Sequence, residues 1–220
     1  MCNDSVRDFR EASNQPSYPR GSMALTIHPI VIPGPWQSGW ALDVHVVASD
    51  FIGYNQFGHA QYDSQRSEIG EELYQLKYRG NKAGLNSICE TVCQFVQGKG
   101  LAFDLVVAVP PSNTGRPVQP LAEIAKGVAA GTQAQYSADA IMKVRSTPQL
   151  KGVSDASQRK KLLEDAFRAS SEVLNGKRVL LLDDLYRSGA TLAAVGGEIL
   201  RNGHPQTLSV IALTRTGKRR

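Results

Sequence analysis

Cysteine is scarce: the 220-residue chain has three, Cys2, Cys89 and Cys93. A small, odd number excludes a disulfide framework. The four histidines, at 28, 45, 59 and 204, are scattered, and no second cysteine pair accompanies Cys89 and Cys93. Those two lie four apart in a helix-like stretch and share a face. Core packing is their expected role, with half of a metal site as the alternative. No apolar run approaches the ~20 residues of a membrane span. The N-terminal stretch has no hydrophobic segment of the secretory kind, so a cytoplasmic location is expected. Two nucleotide motifs are also missing. Neither G-x-x-x-x-G-K-[ST] nor G-x-G-x-x-G occurs, which excludes a P-loop and a dinucleotide fingerprint.

The length suits one domain with a substantial core and is short for two. Hydrophobic residues at 41 % and charged residues at 20 % are ordinary for a folded chain, so general disorder is not expected. The formal charge is +5 and the isoelectric point about 9.2. Part of that excess sits in Lys218-Arg219-Arg220 and in Arg159-Lys160-Lys161. A basic surface suits nucleic acid, and a site for a highly phosphorylated small molecule collects cations too. The tail reads as solvated charge.

Residues 1–22 are polar and aperiodic, and read as a flexible arm or a cloning remnant ending at Arg20-Gly21-Ser22. Residues 23–66 are strand-like. Leu42, Val44 and Val46 alternate with Asp43 and His45, and Gly53, Asn55 and Gly58 supply turn chemistry. This range is expected to form a small antiparallel hood element beside an α/β core over 67–220, in one domain overall. Trp36, Trp40, Tyr54 and Phe57 belong to it, as core or as a stacking surface.

Ser67 is a candidate N-cap, with Glu68, Glu71 and Glu72 on the first helical turn. A second helix carries Ile88, Val92, Phe95 and Val96 on one side. The rhythm then changes. Leu105–Val109 is a continuous apolar run stopped by Pro110-Pro111. Helix is expected over 118–130, strand over 141–144, a polar loop over 145–156 and helix over 157–167. Strand follows at 178–182, helix over 191–201 and a last strand over 208–213. Apolar strands alternating with helices predict a parallel sheet covered on both faces, with ligands at the carboxyl ends of its strands.

The segment Val179-Leu180-Leu181-Leu182-Asp183-Asp184-Leu185-Tyr186-Arg187-Ser188-Gly189-Ala190-Thr191 concentrates the chemistry. Four aliphatics make a buried strand, and two carboxylates stand at its end. A helix start exposes unpaired N–H groups and the positive end of its dipole, which favours a phosphate dianion. Gly189 permits close approach or positive φ. Ser188 and Thr191 add hydroxyls, and Thr191 is a candidate helix cap. Asp183 and Asp184 accept hydrogen bonds and suit neighbouring sugar hydroxyls, directly or through a metal-bound water. A phosphate beside diol acceptors describes ribose 5-phosphate.

This segment resembles the phosphoribosyl-diphosphate (PRPP) loop of type I phosphoribosyltransferases, which read two acids, two residues, then Thr-Thr-Gly-x-Thr. Here Arg187-Ser188 occupies the two central hydroxyl positions, so one hydroxyl is replaced by a cation. Other stretches resemble the competence protein ComF family. They are Leu76-Lys77-Tyr78-Arg79-Gly80; Val109-Pro110-Pro111 with Arg116 and Gln119; and Thr147-Pro148-Gln149, Arg159 and Ala166-Phe167. Together they cover roughly residues 65–214. The chain departs from that family in lacking the four-cysteine zinc module with which its members usually begin. Leu162 also stands where Asn is common.

The resemblance implies a type I phosphoribosyltransferase-like fold. It implies transfer of ribose 5-phosphate from PRPP to a nitrogenous acceptor, with release of diphosphate. Asp183 and Asp184 would be the catalytic acids, and Leu185, Tyr186, Arg187, Ser188, Gly189, Ala190 and Thr191 the 5-phosphate loop. Pro110, Pro111, Ser112 and Arg116 would meet the diphosphate, and Lys151 and Arg159 would belong to a closing loop. Mg²⁺ is implied, carried by PRPP, with Asp183 and Asp184 as its candidate protein contacts. Lys77 and Arg79 either face the same cleft or complement a helix C-terminus. The alternative is a non-catalytic PRPP-binding or ComF-like accessory protein in DNA uptake or nucleic-acid metabolism. Nucleic acid and a second copy of the chain are the macromolecular partners left open, and the acceptor is unassigned.

Overall fold

Val179–Leu182 points aliphatic side chains to both faces of its strand, and such a strand is stable only where both faces are covered. The computed structural model describes residues 23–112, 119–145, 163 and 166–217. In chain order its strands are β1 (Ile30–Val31), β2 (Ser38–Val44), β3 (Val46–Tyr54), β4 (Ala60–Arg66), β5 (Leu105–Ala108), β6 (Gln135–Tyr136), β7 (Ile141–Lys143), β8 (Phe167–Ala169), β9 (Arg178–Tyr186) and β10 (Thr207–Arg215). The helices are α1 (Glu68–Tyr74), α2 (Leu85–Gly98), α3 (Pro120–Gly131), α4 (Ser171–Leu174) and α5 (Ala190–Glu198). Wider π-type turns, Gln75–Arg79 and Ile199–Gly203, continue α1 and α5.

The architecture is α/β. A six-stranded sheet runs β1-β2-β10-β9-β5-β6, parallel throughout except for the short antiparallel β1. Its inner strand β9 is flanked by β10 and β5, with Leu181 opposite Val210 and Val107. One face packs Leu42, Leu180, Leu182, Ile211 and Leu213 against Ile69 and Leu73 of α1, Ile88 and Val92 of α2 and Ile124 and Val128 of α3. The other packs Ala41, Leu181, Val210 and Ala212 against Leu174 of α4, Leu192 and Val195 of α5 and Ile199 beyond it. Each fully buried Leu or Ile contributes about 1.5–3 kcal/mol of transfer free energy. At the amino edge Asp104 accepts from the main-chain N–H and guanidinium of Arg178, at 2.8, 3.1 and 2.7 Å. That guanidinium holds its carboxyl well below the usual carboxylate range.

The hood expectation divides. β1 and β2 belong to the main sheet, and only β3 and β4 form a separate antiparallel hairpin. The local alternation of Leu42, Val44 and Val46 read as a half-buried strand. In the fold both Leu42 and Asp43 are buried, because β10 and helices on both sides enclose β2. Trp36 is core and Trp40 packs edge-on against Phe95, whereas Tyr54 and Phe57 are exposed on the hairpin. The strand expected at 141–144 exists as β7, but it pairs antiparallel with β8 in its own ribbon. Phe167 therefore lies in a strand where helix was expected.

Ser67 caps α1 as expected, accepting from Gly70 N–H at 3.1 Å, and its own hydroxyl donates to Val44 carbonyl. This ties the start of α1 to the carboxyl end of β2. Gly70 makes the contact possible, since a Cβ there would lie 2.4 Å from His45 carbonyl oxygen. Gly70→Ala is expected to force α1 away and destabilise the protein by about 1–3 kcal/mol. Urea unfolding checks this, and an unchanged midpoint would contradict it.

Candidate functional site

The carboxyl ends of β2, β10, β9 and β5 converge on one edge of the sheet. β9 runs through Tyr186, farther than the apolar run alone suggested, because Leu185 and Tyr186 still pair with Thr214 and Arg215. Asp183 and Asp184 are thus strand residues. Alternation sends Asp183 toward the α5 face and Asp184 toward the α1 face. Leu185 and Tyr186 end the strand, and Arg187, Ser188 and Gly189 make the connection to α5.

Asp183 is buried, and its Oδ1 accepts the N–H of Asp184 at 2.8 Å. Burial, with Asp184 beside it, pushes its carboxyl up to about 7; the main-chain donors and Lys77 oppose the rise. Asp184 is partly open, and its Oδ2 is held by the ammonium of Lys77. Lys77 arrives from the π-type turn after α1, so the helix that Gly70 seats against His45 delivers this cation to the acid pair. Of the two basic residues at that helix end, Lys77 meets the cleft and Arg79 is solvent-exposed.

Gly189 is the N-cap of α5 with φ +75°, and a Cβ there would lie 2.8 Å from the Tyr186 ring. Positive φ and this close ring are the reasons for glycine. Thr191 lies inside the helix and does not cap it, and the cap residue itself has no side chain to offer. The first N–H groups of α5 point out at the loop with the positive end of the dipole behind them. Arg187 and Ser188 are exposed beside them, and Ala190 and Thr191 open the helix.

Val109 N–H donates to Leu182 carbonyl at 2.9 Å, which sets the turn of Pro110, Pro111 and Ser112 alongside the acid pair. Arg116, Lys151 and Arg159 lie outside the described residues, as do residues 1–22 and the stretch Thr147-Pro148-Gln149. Cys89 is buried, and burial pushes its thiol up to about 12, as core packing requires. Among the described residues no group of three or more His, Cys, Asp or Glu is placed to hold a metal ion. No described helix is long and apolar enough to cross a membrane.

Two site residues escaped the sequence reading. Thr214 Oγ1 donates to Asp184 carbonyl at 2.8 Å, and His45 Nδ1 lies 3.3 Å from the same hydroxyl. Thr214 lies one residue beyond the strand expected over 208–213, and His45 read as the polar half of an alternating strand. No local signal joins them.

No family model matches the chain, and no curated protein matches it. Among solved structures, one described as the allosteric regulatory enzyme of purine biosynthesis is 20 % identical at TM-score 0.39, over 56 % of this chain and 25 % of that one. A glutamine PRPP amidotransferase from B. subtilis, complexed with ADP and GMP, is 21 % identical at TM-score 0.45, over 71 % of this chain and 34 % of that one. The chain spans between a quarter and about a third of the length of these two solved chains.

Proposed function

We propose that the chain binds PRPP at the carboxyl edge of its parallel sheet and transfers ribose 5-phosphate to a nitrogenous acceptor, releasing diphosphate. The observation that carries this reading is the β9–α5 junction. Two adjacent carboxylates stand in the carboxyl-terminal part of an inner strand, just before Leu185 and Tyr186, and the uncapped start of a helix faces the loop that follows through a glycine at positive φ. The 5-phosphate takes the main-chain N–H groups around Gly189 and Ala190, with the hydroxyls of Ser188 and Thr191 beside them. Asp184 and Asp183 accept from the ribose hydroxyls. The diphosphate lies toward Pro110–Ser112.

The acid pair also fits Mg²⁺. That ion keeps several waters and takes one or two carboxylates plus substrate phosphates, so no larger protein ligand set is needed. Bound there, it would lower the charge of the leaving diphosphate. The protein's own contribution is to position the sugar and to set fixed donors where negative charge grows.

Calorimetry with PRPP and Mg²⁺ tests the reading. The double change Asp183→Ala, Asp184→Ala is expected to weaken binding at least about tenfold, or ~1.4 kcal/mol. Equal affinity in the double variant would remove the acid pair from the site. Diphosphate release with a panel of bases and amines separates transferase from binding protein.

The ComF-like accessory reading has one observation in its favour. The Leu76–Gly80 stretch that resembles that family is the segment whose Lys77 reaches Asp184. Its nucleic-acid version requires DNA affinity that falls steeply with salt, and a flat salt response would exclude it.

A further inference from the structure

His45 follows the last residue of β2 at the carboxyl edge of the sheet. Its backbone is fixed from two sides: its N–H donates to Arg215 carbonyl at 2.8 Å, and its own carbonyl is packed against Gly70 of α1. The ring is fixed by a relay. Thr214 Oγ1 is 2.8 Å from Asp184 carbonyl oxygen and 3.3 Å from His45 Nδ1. A carbonyl oxygen only accepts, so the single hydroxyl proton of Thr214 goes to Asp184. Toward the ring, Thr214 Oγ1 is then an acceptor, and Nδ1 must carry the ring hydrogen. This leaves Nε2 with a bare lone pair, the tautomer being set by the bond the other nitrogen makes. Among the described residues Nε2 has no hydrogen-bond partner.

The other groups around it are committed. Lys77 is held by Asp184, Glu71 accepts from Arg66 at 3.1 Å and from Gln75 at 2.6 Å, and Asp183 is buried. Burial, followed by the charges of Arg66 and Lys77, lowers the imidazole below its ordinary range against the opposing pull of Asp184 and Glu71. The ring is therefore neutral at neutral pH. Once protonated, it is driven to release the proton again.

We propose that His45 Nε2 accepts the proton of the nitrogen nucleophile, a role that rests on the phosphoribosyl-transfer reading of the same edge. The nitrogen–C1 bond forms as the C1–oxygen bond to diphosphate breaks. The electron pair of the broken bond leaves on the diphosphate, and the proton shed by nitrogen passes to Nε2. The acceptor class is an amine or azole that presents an N–H to this edge.

The test uses the full chain with PRPP and Mg²⁺, and ammonia as the nucleophile probe. His45→Gln is expected to bind PRPP within about twofold of the unsubstituted protein and to release diphosphate about 100-fold or more slowly. Added imidazole is expected to restore part of the rate. Wild-type turnover in His45→Gln overturns the proposal and leaves the PRPP site intact. PRPP binding by the unsubstituted protein without diphosphate release to ammonia overturns it as well. Failure of the unsubstituted protein to bind PRPP overturns both readings. Long-range ¹H–¹⁵N correlation on the unsubstituted protein provides a readout that needs no variant. A hydrogen on Nδ1 supports the relay, and a hydrogen on Nε2 sinks it.

Discussion

Replacing Leu181 by alanine is expected to lower the free energy of unfolding by about 2–5 kcal/mol. Leu181 is fully buried in the middle of β9, between Val107 of β5 and Val210 of β10. Leu192 and Val195 of α5 lie in the same apolar layer. Removing three carbons there loses their transfer free energy and leaves a cavity, because strands on both sides and a helix above resist collapse. A domain of this size has a total stability of roughly 5–15 kcal/mol, so the loss is a large share of it. In urea the midpoint should fall with little change in slope, since the surface exposed on unfolding is nearly the same. A loss below about 1 kcal/mol would mean that this face of β9 is not enclosed as described. The same strand carries Asp183 and Asp184, two residues short of its carboxyl end.

Asp183→Asn is expected to stabilise the protein at pH 8 while weakening PRPP binding. Burial first, and Asp184 second, raise the Asp183 carboxyl to about 7 in the folded state. In the unfolded chain it returns to the ordinary carboxylate range near 4. Between those values the folded state holds the proton more tightly than the unfolded state, so stability falls as pH rises. Its contribution is fully present below the unfolded value and is lost as pH climbs through about 7. Even one unit of such a shift is worth about 1.4 kcal/mol. Asparagine retains the oxygen that accepts Asp184 N–H and never ionises, so it escapes this loss. The two proteins should therefore differ in urea midpoint at pH 8 and converge toward pH 4. A variant less stable than the unsubstituted protein at pH 8 would contradict the account. Stability and binding move in opposite directions here because the site keeps a carboxylate where the fold would rather have a neutral group.

The run Val179–Leu182, the Ser67 cap and the helical faces of α1 and α2 were legible in the sequence. Each is decided by neighbours within a few positions, through side-chain alternation, helical periodicity or a hydroxyl beside its own helix start. The junction Asp183–Thr191 was legible for the same reason, since strand, acids, glycine and helix start are contiguous. The place of β2 was not. Its local alternation suits either a separate hairpin or the main sheet, and only pairing with β10 distinguishes them. The strand β7 was expected, but β8 and its antiparallel pairing with β7 were missed, because a three-residue strand is too short to show a period.

Within the site the division is the same. The amino-acid sequence by itself determined that two carboxylates and a glycine-led helix start stand together, because those residues are bonded in series. Only the tertiary structure decided what surrounds them. It brought Lys77 to Asp184 by seating α1 on His45 at Gly70, and it set His45 against Thr214, 169 positions away. Which ring nitrogen carries a hydrogen and how readily Asp183 ionises depend on burial and on partners that approach through space. No local pattern of residues encodes either.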